Sequence, residues 1–229
     1  VPKIYWQYTN PNILTSEWID GVSIYETDKI MKFGLDPKEV AAKVAVIFFN
    51  QAFRDGFFHA DLHPGNILVK KDGNIALVDF GIIGTLEEKD RLAIAEILYA
   101  FLKRDYSLVA KIHQRIGYIP LHTDLNDFAQ SCRSIAEPIL DLAAKDISIG
   151  HLLAQLFKVT EKFGMETQPQ LLLLQKTMVV VEGIGQSLDP EINMWRLAEP
   201  WMKKWAIKNI SPEAKFARFI KKIFSDLCE

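Results

Sequence analysis

With 229 residues, the chain can bury one substantial core or two small ones. Hydrophobic content of 49% and charged content of 24% are those of a folded soluble domain. A net charge of −2 excludes the basic footprint of a nucleic-acid binder, and the absence of any CxxC around Cys132 and Cys228 excludes a structural zinc site.

The two cysteines read as free thiols in a reducing compartment. Val1 is not followed by a signal or transit peptide, so the chain is expected to begin inside a longer protein. Ile13-Leu14-Thr15-Ser16-Glu17-Trp18-Ile19 is β-prone and closed by the turn signal Asp20-Gly21. Asp36-Pro37-Lys38-Glu39 then predicts a helix start, with Asp36 as cap, Pro37 at the first position and Glu39 completing a reciprocal box. Val40, Val44, Ile47, Phe48 and Gln51 continue it at helical spacing up to Gly56.

Two short strands follow, Ile67-Leu68-Val69 and Ile75-Ala76-Leu77-Val78, joined at Lys71-Asp72-Gly73 as a hairpin. Thr85-x-x-Glu88 reads as a capping box opening a helix through Phe101. Further helices are expected near 105–116, 124–142, 148–163, 169–187, 191–208 and 212–227. The most apolar stretch, Leu171 to Ile184, is broken by Gln175, Lys176 and Glu182 and is too short for a membrane span. The expected fold is mainly α with one small embedded β-hairpin.

The chemistry concentrates in His59-Ala60-Asp61-Leu62-His63-Pro64-Gly65-Asn66, with Asp79-Phe80-Gly81 beginning thirteen residues after Asn66. Phosphoryl transfer from a nucleotide needs an acid to orient the acceptor and hard oxygen ligands to hold Mg2+ on the phosphates. A kinase-like catalytic loop supplies the first from an Asp, and the metal ligands from an Asn five residues on and from the Asp of a DFG turn beyond a hairpin. Asp61, Asn66 and Asp79 reproduce that order, spacing and context. Pro64-Gly65 interrupts any helix there. His59 reads as a loop-locking residue. His63 has two readings, contact with substrate or phosphate and a structural role. Arg54, Asp55 and Lys70 read as surface charges.

In this frame residues 1–20 are the last strand of a small lobe and its hinge, and 21–229 the helical C-terminal lobe, with its catalytic loop at 57–69 and DFG turn at 79–81. Adenine would meet Glu17 C=O and Ile19 N–H, with Ser16 controlling pocket depth. An edge strand with no ligand is the alternative for this segment.

Phe57 to Ile67, the run Asp79-Phe80-Gly81-Ile82-Ile83-Gly84-Thr85-Leu86, Gln168-Pro169-Gln170-Leu171 with Gln175-Lys176-Thr177, and Val181-Glu182-Gly183-Ile184-Gly185 resemble the UbiB-type atypical kinases of ubiquinone biosynthesis, the bacterial branch best. The resemblance implies Asp61 as proton acceptor or orienting acid and Asn66 and Asp79 as magnesium ligands. It implies ATP and Mg2+ as cofactors, and as partners lipid-like quinone precursors, an anionic membrane surface and other ubiquinone-biosynthesis proteins. The implied location is the cytoplasmic face of a bacterial inner membrane, with anchoring segments lying outside this chain. The family's small lobe, with its nucleotide-binding Lys and KxGQ segment, does not match here, so these 229 residues alone are expected to be catalytically silent.

No APE follows Asp79-Phe80-Gly81, which disfavours a peptide acceptor. Two alternatives stay open: a small-molecule phosphotransferase of the aminoglycoside or choline kinase kind, and a nucleotide-binding scaffold. From residue 200 onward the local charge is +4, and Phe216, Phe219, Ile220, Ile223, Phe224 and Leu227 form one stripe beside Lys215, Arg218 and Lys222. This is either a membrane-surface helix or a last helix docked on the core.

Overall fold

A computed structural model describes residues 1–140, 148–165, 168–192 and 197. The chain opens with a narrow ladder in which Tyr5 N–H donates to Thr15 O at 2.9 Å and Glu17 N–H to Lys3 O at 2.8 Å. The β-prone run therefore pairs only locally, through the bridges Ile4–Ser16 and Asn10–Ile13, and Trp18 is 91% exposed. Next come β1 (Val22–Ser23) and α1 (Thr27–Lys32), a helix too short to leave a periodic signal.

α2 (Pro37–Phe49) starts as its residues dictate, with Pro37 at the first position and Asp36 Oδ1 accepting from Lys38 N–H at 2.9 Å. The reciprocal bond expected of Glu39 is not made; its exposed carboxylate sits in the first turn, where the helix dipole favours it. The helix does not run unchanged to Gly56. From Asn50 to Asp55 it widens into a π-helical segment. Its last carbonyls are taken from outside, by Arg91, which donates to Arg54 O at 2.7 Å.

Four strands frame the loop of interest: β2 (Phe57–His59), β3 (Ile67–Val69), β4 (Ile75–Leu77) and β5 (Ile83–Thr85). β3 and β4 form the expected hairpin, one residue shorter than the apolar run because Val78 leaves the ladder. Lys70 and Asn74 close a three-residue loop around Gly73, whose φ of +74° suits glycine. β1 adds to β3 to make a three-stranded antiparallel sheet, and β2 pairs with β5 in a separate two-stranded one. The β content is thus larger than one hairpin. The helix start expected at Thr85 is corrected: Thr85 ends β5 opposite Phe57, and α3 (Glu88–Leu102) begins after Glu87 with no side-chain cap. Ladder pairing outweighs a cap worth about 1 kcal/mol.

α4 (Tyr106–Arg115), α5 (Leu125–Leu140), α6 (Ile149–Lys162) and α7 (Pro169–Leu188) fall where the pattern places them. α3 to α7 pack in succession, and α2 lies against α7. The helices expected at 191–208 and 212–227, the basic C-terminal stripe and Cys228 lie almost wholly outside the described residues. Cys132 is a buried free thiol, pushed up to about 12 by burial. No helix among the described residues is long and apolar enough to cross a membrane.

The core reaches the loop through aromatics. Phe48 of α2 meets Phe58 of β2 edge to face, with centroids 6.2 Å apart, and both are fully buried. Opposite Phe58 stands Gly84, where a Cβ would lie 2.2 Å from the Phe58 ring. Gly84→Ala should therefore cost about 1–3 kcal/mol in chemical denaturation. Gly183→Ala, on an exposed face of α7 with nothing within 4 Å, should add about 0.5–1 kcal/mol. Equal effects of the two would contradict this packing.

His113 of α4 is buried among Phe128, Tyr118 and the inner face of α6, with Nδ1–H donating to Val109 O at 2.8 Å. Burial pushes its pKa down to about 4, against a smaller opposite pull from Val109. The unfolded chain then binds the proton first, so stability is complete above pH ~6.5 and falls as pH drops toward 4. The loss should be on the order of 3 kcal/mol, and His113→Phe should flatten the unfolding midpoint across that window.

Candidate active site

Alternate residues of β2 face β5. Leu86 N–H donates to Gly56 O at 2.8 Å, Phe58 faces Gly84, and Ala60 N–H donates to Ile82 O at 3.0 Å. Beyond Ala60 the chain leaves the ladder, and side chains take over. His59 is 1% exposed; its Nε2 bonds Val78 O at 2.9 Å and its Nδ1 bonds Asp61 N–H at 3.2 Å. A carbonyl only accepts and an amide N–H only donates, so the ring is neutral with its proton on Nε2. Phe80 packs against it at a tilt, with centroids 4.8 Å apart. The loop-locking role read from the sequence is the one the ring plays.

Asp61 O is the hub of the turn. It accepts from His63 N–H at 2.7 Å and from Asn66 Nδ2 at 3.0 Å. His63 Nδ1 accepts from Gly65 N–H at 3.1 Å, capping a single 3₁₀ turn over Pro64–Asn66. The segment is thus a tight turn rather than an open loop, with Pro64 at its permitted first position. The Nδ1 cap is a structural role for His63. Its ring as a whole is exposed. Ser23 Oγ donates to Pro64 O at 3.2 Å, tying the turn to β1.

Asn66 O accepts from Val78 N–H at 3.0 Å, so the residue before Asp79 is fastened to Asn66. Asp79 itself has φ +55°, left-handed backbone that Asp tolerates better than most residues, at a cost of about 1 kcal/mol. Its Oδ1 accepts from Gly81 N–H at 3.3 Å. The structure therefore brings Asp61, Asn66 and Asp79 together through backbone ties. The Asp61 carboxylate, Asn66 Oδ1 and Asp79 Oδ2 have no protein partner among the described residues.

Those are hard oxygen donors. No group of three or more His, Cys, Asp or Glu among the described residues could hold a metal. The set fits a Mg2+ ion, which takes one or two side chains and completes its shell with phosphate and water. Arg54 and Asp55 form an exposed pair, in which the guanidinium holds the carboxyl below its usual range. Lys70 pairs loosely with Asp72 at 3.7 Å.

Of the hinge candidates, Ser16 and Glu17 lie on the opening ladder and Ile19 just past it. Ser16 bridges Ile4, and Glu17 uses its N–H toward Lys3. Glu17 C=O and Ile19 N–H have no protein partner among the described residues. The structure does not join these residues to the Asp61 turn directly; the tie runs through Ser23, four residues past Ile19.

Residues 1–113 match the ABC1 atypical kinase-like domain, and residues 132–193 match the UbiB helical domain. The chain belongs to the UbiB-type atypical kinase family. The UbiB-type fold is shared with a solved structure of Rv3197 from Mycobacterium tuberculosis, determined in complex with erythromycin. The two are 18% identical with a TM-score of 0.52, over 87% of this chain and 51% of that one. This UbiB-type chain thus spans about half the length of that protein.

Ser23 and Gln51 also shape the site, and the motif spacing pointed to neither. Their common signal is alternation: each lies next to a motif or strand whose exposed backbone groups need partners. His59→Leu keeps the volume while stranding Asp61 N–H and Val78 C=O. Both groups are half-buried, so the lower end of about 1–3 kcal/mol per stranded group applies, and the expected loss is roughly 2–3 kcal/mol in chemical denaturation. A loss under ~1 kcal/mol would mean that the ring does not hold the two segments.

Proposed function

We propose that the protein is an ATP- and Mg2+-dependent enzyme of the UbiB type, a phosphotransferase or ATPase that supports ubiquinone biosynthesis. Its substrates are lipid-like quinone precursors, met at an anionic membrane surface on the cytoplasmic face of a bacterial inner membrane, beside other proteins of that pathway. One observation carries the reading: Asp61, Asn66 and Asp79 are fastened to one another through Asn66, with their ligand oxygens left uncommitted.

In this mechanism the Asp61 carboxylate orients the acceptor hydroxyl or water and takes its proton. Asn66 Oδ1 and the Asp79 carboxylate would hold the cation. Bound Mg2+ would neutralise charge on the phosphates as the bond to the transferred group breaks. Glu17 C=O and Ile19 N–H receive adenine, Ser16 limits the depth of its pocket, and His63 offers its exposed ring edge toward phosphate.

The acceptor class follows from the chain after Asp79. Ile82 alone separates Gly81 from β5, which pairs straight back onto β2. That leaves no platform on which a peptide could lie. A small or lipid-like acceptor, or water, suits such a surface better.

The test is Mg2+-dependent ATP hydrolysis by the full-length protein, with and without anionic liposomes, beside Asp79→Asn. Asn tolerates the left-handed backbone, so the variant should fold as the parent does. Turnover stimulated by liposomes and reduced at least 100-fold in the variant is expected. Nucleotide binding with no turnover under any condition would overturn the enzyme reading and favour a nucleotide-binding scaffold.

A further inference from the structure

The β2–β5 ladder leaves one buried donor to be explained. Gly56, Phe58 and Ala60 face the partner strand, so the N–H of His59 points away from it. His59 is 1% exposed, and a buried N–H without a partner is rarely tolerated. It donates to Gln51 Oε1 at 3.3 Å.

Gln51 makes a second contact with the same stretch. Its backbone carbonyl accepts from the N–H of Gly56, the residue with φ +69° that turns the chain into β2. That bond spans five residues, as a π-helix requires; a regular α-turn would give Gly56 to Ala52 instead. The wide turn lets one residue grip both the entry to β2 by its carbonyl and the end of β2 by its amide oxygen. From His59 the constraint passes on to Asp61 N–H and to Val78, the residue before Asp79.

We propose that Gln51 is a positioning residue for the Asp61 turn, acting through His59, and that the π-helical segment exists to place it. The inference rests on the reading of Asp61 and Asp79 as the acid and a metal ligand. Gln51 lies outside the candidate ligand set; it fixes where the acid stands. A hydrogen bond of 3.3 Å adds little to stability, yet a small misplacement of a reacting group can cost far more in rate.

The experiment uses the full-length protein with Gln51→Met, which keeps length and removes the acceptor, and Gln51→Glu, which keeps an acceptor oxygen. Mg2+-dependent ATP hydrolysis and amide hydrogen exchange over residues 57–66 are measured on each. Gln51→Met should lower kcat about tenfold or more and leave KM for ATP within about twofold. It should also speed exchange of the His59 and Asp61 amides about tenfold while the β3–β4 hairpin stays protected. Gln51→Glu should restore both readouts to within about threefold.

A Gln51→Met protein with unchanged kcat and unchanged loop exchange would overturn the inference. So would a Gln51→Glu protein that loses as much as Gln51→Met. If Gln51→Met does not fold, Gln51→Asn, which draws the amide back by one methylene, takes its place with the same expectations. If the wild-type protein hydrolyses no ATP, the proposed function fails on its own, and the exchange pattern alone decides for or against Gln51.

Discussion

The ring of His59 is bound on both sides by backbone, accepting from Asp61 N–H and donating to Val78 O. Two stretches far apart in sequence, one ending in the candidate acid and the other leading to a candidate metal ligand, are thereby held at a distance set by an imidazole. The arrangement works only for a neutral ring with its proton on Nε2, because each ring nitrogen faces a group that can play one part. It also needs dryness. In water either backbone group could exchange its partner for solvent at little cost, but the ring is 1% exposed and each lost bond leaves a half-buried group without a partner.

What surrounds the ring keeps it there. Phe80 packs against it at a tilt, and Phe58, the neighbour on the other side of the strand, is held by Phe48 of α2. Strand alternation explains the division: Phe58 points into the helical core and His59 points toward the turn. Gly84 is the residue that lets β5 come close enough for this, since any side chain there would meet the Phe58 ring. The large helical body, α2 against α7 with α3 to α6 following, serves in this view as a rigid backing for a few residues of strand and turn.

Much of this was legible in the residues, for identifiable reasons. Asp61, Asn66 and Asp79 stood out because metal chemistry restricts residue type, and the hairpin between them restricts spacing. The helices α3 to α7 were visible because amphipathic periodicity over ten or more residues is hard to produce otherwise. β1 and β5 were hidden, being two and three residues long with partners far along the chain. Thr85 looked like a cap because its local sequence suits one; pairing with Phe57 is non-local and outweighed it. The π-helical segment was invisible for a subtler reason. Its apolar residues, Ala52 and Phe53, continue the buried face of α2 well enough that the change in hydrogen-bond register leaves no mark on the pattern. Gln51 was counted among the residues of that face, and its side chain is indeed half-buried, but against a backbone donor rather than against the core.

The spacing after Asp79 adds a constraint of its own. Asp79 is bounded before by Val78, which is bonded to both Asn66 and His59, and after by a β5 that begins four residues later. Ile82 O is already bonded to Ala60 N–H, so only Phe80 and Gly81 lie free of ladder contacts, and Phe80 is pinned on His59. A left-handed Asp in a long loop could relax into a more favourable backbone; between two such anchors it cannot without breaking one. Its positive φ is therefore the consequence of a short span between fixed ends. The same short span leaves only Phe80, Gly81 and Ile82 between Asp79 and the start of β5. In this fold the short segment after the candidate metal ligand and the left-handed backbone at that residue are one feature of the chain.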